Sequence, residues 1–174
     1  EEDKQTATEE TESSEETTDK EEANADEAVA EADSDEEEAA EAEADEAEAE
    51  LEAAIEVEND LRSEIVTYAL QFVGNRYKYG GTNPNTGVDC SGFTSYVMRH
   101  AAEVELPHSS GGQSRMGRQV SSSEMRPGDI ICYSGHVAIY IGGGAIVHAS
   151  NERDGIKISS NAAYTTILAV RRVV

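Results

Sequence analysis

Tryptophan is missing from this 174-residue chain; cysteine occurs twice, phenylalanine twice and proline three times. Two cysteines do not make a disulfide framework. Cys90 and Cys132 are expected to be free thiols, although a pair between them is conceivable on residue type alone. No run approaches the roughly 20 apolar residues that a membrane-spanning helix needs. Residues 1–60 contain no Phe, Tyr, Trp or Gly, and almost no aliphatic side chain larger than Ala before Leu51. A stretch of that kind buries too little apolar surface to offset its chain entropy, which excludes an independent core there. Residues 61–174 are ample for one core.

Charge divides the chain at the same place. Residues 1–60 hold 29 of the 37 acidic residues against Lys4 and Lys20, a net −27. Residues 61–174 hold the other 8 acids and 11 Lys or Arg, a net +3. The overall −24 therefore describes no single surface. An acidic low-complexity arm is expected over residues 1–58 and a folded domain over 59–174. Residues 1–20 read as disordered. Residues 21–58 are nearly all Ala and acid, which favour helix by propensity and oppose it by like-charge repulsion at i+3 and i+4. A fluctuating, solvated helix follows, firmer at low pH or on a partner; the plainer reading is a solubilising spacer. Opening at Glu1 with no leader pattern is expected of a mature secreted chain or of an expressed fragment.

From Asn59-Asp60 onward the pattern changes. Asp60 suits an N-cap, and Leu61, Ile65, Val66, Ala69, Leu70 and Val73 repeat with helical period up to the stop signal Gly74. "YKYGGTNPNTG" (77–87) is turn chemistry. A second helix is expected from Asp89 or Cys90 to about Ala102, and a loop with one short helical turn over 107–123. Strands are expected at Ile130–Tyr133, at "HVAIYI" (136–141), at "AIVHAS" (145–150), at Ile156–Ile158 and at Ile167–Val173. Helices first and antiparallel strands after is an α+β pattern.

Cys90 falls where turn becomes helix. The first turn of a helix carries unpaired N–H groups and partial positive charge, which favour a thiolate. An isolated cysteine of this kind would more often be structural, but the histidines change the balance. If "IGGGA" closes a tight hairpin, His136 and His148 project from one face, either directly opposite or one pair apart. A slip of one residue would separate them. Thiol attack needs a base, and the base needs a third polar group to hold its tautomer. Cys90 as nucleophile, His136 at the strand mouth as base and His148 as orienter fill those roles. His100 suits the last turn of its helix, and His108 lies on a loop where it can touch substrate. A zinc site built from Cys90, His136 and His148 is possible by residue type, but the spacing matches no zinc signature.

Taken together, "YKYGG", "GVDCSGF", "RPGDII", "GHVAIYIG" and "IVHAS" resemble the NlpC-type cell-wall endopeptidases, a papain-like cysteine peptidase family, over about residues 61–174. The resemblance implies an α+β, papain-like fold with N-terminal helices packed on an antiparallel sheet. It implies Cys90 as nucleophile, His136 as base and His148 in the third polar position. It adds the hydroxyl of Tyr77, rather than Tyr79, near the nucleophile. Asp89 would organise the turn, and the Ser91 and Cys90 N–H groups would hold the oxyanion. "LPHSS" departs from the family's commoner basic loop, with His108 in its place. The implied reaction is hydrolysis of amides in peptidoglycan stem peptides, typically D-γ-glutamyl–diamino acid (diaminopimelate or lysine), without metal or organic cofactor. A monomer acting outside the cytoplasm at a bacterial wall, with no nucleic-acid partner, is expected. Two other readings share the residues: a wall-binding module without turnover, and a thiol acyltransferase or amidase with a different substrate.

Overall fold

The computed structural model describes residues 32–174, with side chains from residue 42 onward. The expectation of disorder over 1–20 lies outside the described residues. The chain divides between Glu46 and Ala47; the second unit, which carries the chemistry, is described by itself.

The first helix, α1, spans Ala32–Leu70. It does not start at Asp60: Asn59 and Asp60 lie inside an unbroken helix. The preceding Ala and Glu residues have propensity enough to carry the helix through, so no cap is needed there. Leu51, Ile55 and Val57 are exposed, whereas Arg62, Ile65 and Ala69 are buried. The helix ends at Leu70, so Val73 falls in the following turn and is exposed, and Phe72 takes the buried place instead.

After a two-stranded ribbon, β1 (Thr82–Asn83) and β2 (Gly87–Val88), comes α2 (Cys90–Ala102) and a single helical turn, α3 (Ser110–Gln113). Six strands follow: β3 (Arg118–Val120), β4 (Ile130–Tyr133), β5 (His136–Gly142), β6 (Ala145–Asn151), β7 (Gly155–Ser159) and β8 (Ala169–Arg172). They form one antiparallel sheet in the order β3-β8-β4-β5-β6-β7. The last strand thus inserts between β3 and β4, a pairing that no local signal in the sequence announces.

Strand periodicity sorts the sheet residues into two layers. Ile130, Cys132, Val137, Ile139, Val147, Ala149 and Ile156 pack with Ile65, Ala69, Phe72, Phe93 and Val97 of the helical side. Ile131, Tyr133, Ala138, Tyr140, Ile146 and Val170 form a smaller cluster with Ala162 on the other face. Helices packed against a multi-stranded antiparallel sheet make this an α+β, papain-like fold. Cys132 sits in the main core as a free thiol, pushed up to about 11 by burial, and acts there as a small apolar side chain.

One buried ionic cluster ties α1 to the sheet. Arg172 holds Asp129 through two bonds, Nε to Oδ1 at 2.9 Å and Nη2 to Oδ2 at 2.8 Å. Arg62 reaches Oδ1 of the same carboxylate at 3.3 Å, and also donates to Glu58 and to the carbonyls of Pro127 and Val174. Asp129 is fully buried, and the two guanidiniums are its partners there. "RPGD" reads locally as a turn, and the turn is there, but its aspartate is also the anchor of this cluster.

Candidate active site

The start of α2 is fixed by Asp89. Its backbone is extended (φ −91°, ψ −179°), and its Oδ1 accepts the Gly92 N–H at 2.8 Å as an N-cap. Oδ2 accepts the Gly80 N–H at 2.9 Å, and Oδ1 also meets the Ser91 hydroxyl and His108 Nε2, at 3.3 and 2.8 Å. One carboxylate therefore joins the 77–81 turn, the helix start and the 107–113 loop. That loop is held a second time by Gln113, which is fully buried. Its amide nitrogen faces the Ser91 and Pro107 carbonyls, both at 2.9 Å, while its oxygen accepts from Thr94 Oγ1 at 2.6 Å. Nothing local in the sequence marks this loop glutamine as buried.

Cys90 is half-buried at the first position of α2 and lines a cleft of about 390 Å³ with Tyr77, Tyr79, Asp89, Ser91, His108 and Gly135. A larger hollow of about 470 Å³ along α1, walled by Arg62, Val66, Arg126 and Pro127, contains neither cysteine nor histidine. Burial pushes the Cys90 thiol up; the Val137 N–H opposes this, Asp89 adds to it, and the Ser91 and Cys90 N–H groups oppose it again. Val137 is the residue after His136, so the sulfur lies against the mouth of β5. Tyr77, whose phenol is raised by burial and then by Cys90, is close enough to feel the thiolate.

The hairpin register pairs Ile139 with Val147 and Tyr140 with Ile146, with a bulge before the Gly142–Ala145 pair. His136 and His148 therefore share a face, one pair apart, as the turn chemistry predicts. His136 Nε2 and His148 Nδ1 are 2.7 Å apart, and His148 Nε2 lies 2.9 Å from Ser159 Oγ. A proton on both Nε2 atoms satisfies every bond: His136 donates to His148, His148 donates to the serine hydroxyl, and His136 Nδ1 keeps a free lone pair. Burial lowers the pKa of His136. His148 is lowered to about 4 by burial, then by His136 and Lys157, against a raising effect of Asp154. Both rings are thus neutral near pH 7, and the thiol keeps its proton until something draws it off. Such a set can deliver a nucleophile with general-base assistance.

Ser159 and Tyr164 are additions to the residues read from sequence. Ser159 lies on β7, next to β6, and only the strand pairing brings it under His148. Tyr164 tilts against His148 and Tyr133, with ring centroids 6.1 and 5.2 Å away. The phenol is raised by burial and then by Cys90. His100 sits in the last helical turn as expected, its ring 4.1 Å from that of Tyr96, away from the cleft. Among the described residues no cluster of three or more His, Cys, Asp or Glu is arranged to hold a metal ion, and no helix is long and apolar enough to cross a membrane.

Comparison with known proteins places this geometry. A murein DD-endopeptidase/LD-carboxypeptidase of Escherichia coli K12, MepS, is 38% identical over 110 residues, covering 60% of this chain and 58% of the relative. A gamma-DL-glutamyl hydrolase of Bacillus subtilis is 38% identical over 90 residues, 49% of this chain and 22% of that one. The chain thus spans less than two thirds of the length of either. Among solved structures, the NlpC/p60 domain of the peptidoglycan hydrolase SagA superposes with a TM-score of 0.58 at 29% identity, over 64% of this chain and 97% of that domain. The peptidoglycan hydrolase RipB of Mycobacterium tuberculosis gives 0.60 at 26%, over 67% and 66%. Residues 74–171, more than half of the chain and the part that carries Cys90, His136 and His148, match the NlpC/P60 family, and the chain belongs to that family.

Proposed function

We propose that this protein is a cysteine endopeptidase that hydrolyses amide bonds in peptidoglycan stem peptides. The observation that carries the reading is the meeting of the Cys90 sulfur, at the head of α2, with the mouth of β5, where His136 leads a hydrogen-bonded line to His148 and Ser159. In the reaction, the Cys90 sulfur attacks the scissile carbonyl while its proton passes to His136 Nδ1. The Cys90 and Ser91 N–H groups face the developing oxyanion, with the Tyr77 hydroxyl beside them. The tetrahedral adduct collapses to a thioester as His136 gives the proton to the leaving amine. Water, deprotonated by the same ring, then frees the acid and restores the thiol. No metal or organic cofactor enters the scheme. Asp89 and His108 shape the cleft wall next to the sulfur.

The bond we favour joins the γ-carboxyl of D-glutamate to a diamino acid. The Bacillus relative, named for γ-glutamyl hydrolysis, supports it. The Escherichia coli relative, named a DD-endopeptidase, supports a second reading in which the link between two stem peptides is cut. The site of action would be the bacterial wall, outside the cytoplasm, with the protein acting as a monomer. Defined stem tetrapeptides and cross-linked dimers, incubated with the wild type and with Cys90→Ala, test this by product mass. Cleavage that the variant loses supports the peptidase, and the product masses name the bond. Binding without cleavage by the wild type would make this a wall-binding module. No interaction at all would leave an acyltransferase or amidase with another substrate.

A further inference from the structure

The line from His136 through His148 to Ser159 admits two proton arrangements that make the same two contacts. In the first, His136 Nε2 donates to His148 Nδ1, and His148 Nε2 donates to Ser159 Oγ. In the second every role is reversed: the serine hydroxyl donates to His148 Nε2, and His148 Nδ1 donates to His136 Nε2. The two differ at the far end. The first leaves His136 Nδ1 a lone pair for the thiol proton. The second places a proton there, and the base is lost. Which way Ser159 bonds therefore decides whether the thiol can be deprotonated.

Both ends of the line favour the first arrangement. The Cys90 sulfur already faces the N–H groups of Val137, Ser91 and Cys90, so a further donor from His136 would leave the S–H proton without an acceptor. At the other end, Ser159 is half-buried at the last position of β7. It helps to line a hollow of about 410 Å³ with Asn161 and Tyr164. Its own proton can turn into that hollow, which frees a lone pair for His148. The contact is set by the sheet: Ile146 pairs with Ser159 and His148 with Lys157, so serine and histidine leave the same face as diagonal neighbours.

The acceptor is also uncharged. Among the described residues, no carboxylate bonds either ring of the pair. The titratable groups around His148 are His136 on β5, Lys157 on β7, Asp154 in the turn before it and Tyr164 beyond it. Lys157 and Asp154 hold each other at 2.8 Å. Around His136 they are His148, Tyr133 on β4, whose ring centroid lies 5.9 Å away, and Cys90 on α2.

We propose that Ser159 is a positioning residue for the reaction. By accepting from His148 it fixes the proton of both imidazoles on Nε2 and holds His136 Nδ1 open, and as a neutral acceptor it keeps the resting site a thiol and an imidazole, not an ion pair. It acts only through His148. The inference rests on the peptidase reading, and its first measurement needs no substrate.

Nitrogen NMR of the full chain with labelled histidine reads the tautomers at neutral pH in the wild type, Ser159→Ala, Ser159→Thr and Ser159→Asp, with equal melting as the control for folding. Both rings of the wild type should carry the proton on Nε2, and Ser159→Ala should show His148 in both tautomers. On a stem peptide, Ser159→Ala should lose about tenfold in kcat, the worth of one such hydrogen bond, at unchanged KM, and Ser159→Thr should restore it. Ser159→Asp accepts only, so it should keep the tautomer, but its charge should move the acid limb of kcat/KM up by about one pH unit. A wild type with the proton on His148 Nδ1, a Ser159→Ala protein with wild-type tautomers and kcat, or an acid limb unmoved in Ser159→Asp overturns the assignment. Tautomers as stated in a wild type no more active than Cys90→Ala overturn the peptidase reading instead.

Discussion

Gly92 offers a sharp test of how the nucleophile is positioned. It lies in the first turn of α2, and a Cβ built there would stand 2.2 Å from the Gly81 carbonyl oxygen and 3.1 Å from Asp89 Oδ1. Helix propensity alone says that Gly→Ala stabilises by about 1 kcal/mol. The steric contact says the reverse, since the obstacle is backbone. The 80–81 turn must retreat by roughly 1 Å, at an overpacking cost of about 1–3 kcal/mol. The same retreat loosens two bonds, Asp89 N–H to Gly81 O at 3.2 Å and Gly80 N–H to Asp89 Oδ2 at 2.9 Å, so it moves the cap beneath Cys90. A misplacement of about 1 Å at a reacting group is worth roughly 100-fold in rate. Gly92→Ala should therefore lower the melting temperature by several degrees and kcat/KM on a stem peptide by about two orders of magnitude. Gly111→Ala is the control: it is also a helical glycine, but its nearest neighbour would be 3.9 Å away, and it should melt no lower and cleave within a few-fold of the wild type. A Gly92→Ala protein that melts higher and cleaves normally would falsify the close-approach account.

Three further outcomes follow from the site and its supports. Because burial holds the His136 pKa below its ordinary 6.5, the acid limb of kcat/KM should fall below pH 6.5; a limb centred above pH 7 would contradict that base. His148 is neutral when folded and titrates near 4, against 6.5 when unfolded, so the unfolded chain binds more protons between those values and stability is lost as pH falls from 6.5 to 4. The difference is at most about 3 kcal/mol, and a His148→Asn variant that keeps the full wild-type slope in urea titrations would refute it. Asp129→Asn leaves Arg62 and Arg172 without their buried anion and should cost about 3–5 kcal/mol, read as a shift of the denaturant midpoint; a loss under 1 kcal/mol would mean that the cluster does not hold α1 to the sheet.

What could be read in advance was encoded locally. The cysteine stands at a turn-to-helix junction because Asp89 is a good cap and Gly92 lets the turn come close, and both residues lie within two positions of it. The two histidines share a face because both positions are even and the glycine turn sets the register. What could not be read depends on partners far along the chain. Val120 finds Val170, and Asp129 finds Arg62 and Arg172, across separations that leave no periodic trace. Ser159 becomes the end of the imidazole line only because β7 pairs with β6 in one register. Asp60 does not start α1 for the opposite reason. It is a strong local cap signal, but a helix already running through Ala and Glu passes over it.

Two opposed effects set the resting state of the site. Burial, the larger, raises the Cys90 thiol and lowers His136, so it leaves the proton on sulfur. The N–H groups of Val137, on β5, and of Ser91 and Cys90, at the head of α2, pull the thiol toward its anion and offset only part of this. A thiolate–imidazolium pair would need solvent, or an added charge, to stabilise it. Instead the base is kept neutral, oriented through Nε2 and ready at Nδ1, and proton transfer awaits a carbonyl whose developing oxyanion can be met by the same N–H groups that only half-stabilise the thiolate. On this account the backbone donors at the head of α2 favour the transition state more than the resting sulfur, which is the condition for them to raise kcat as well as tighten binding.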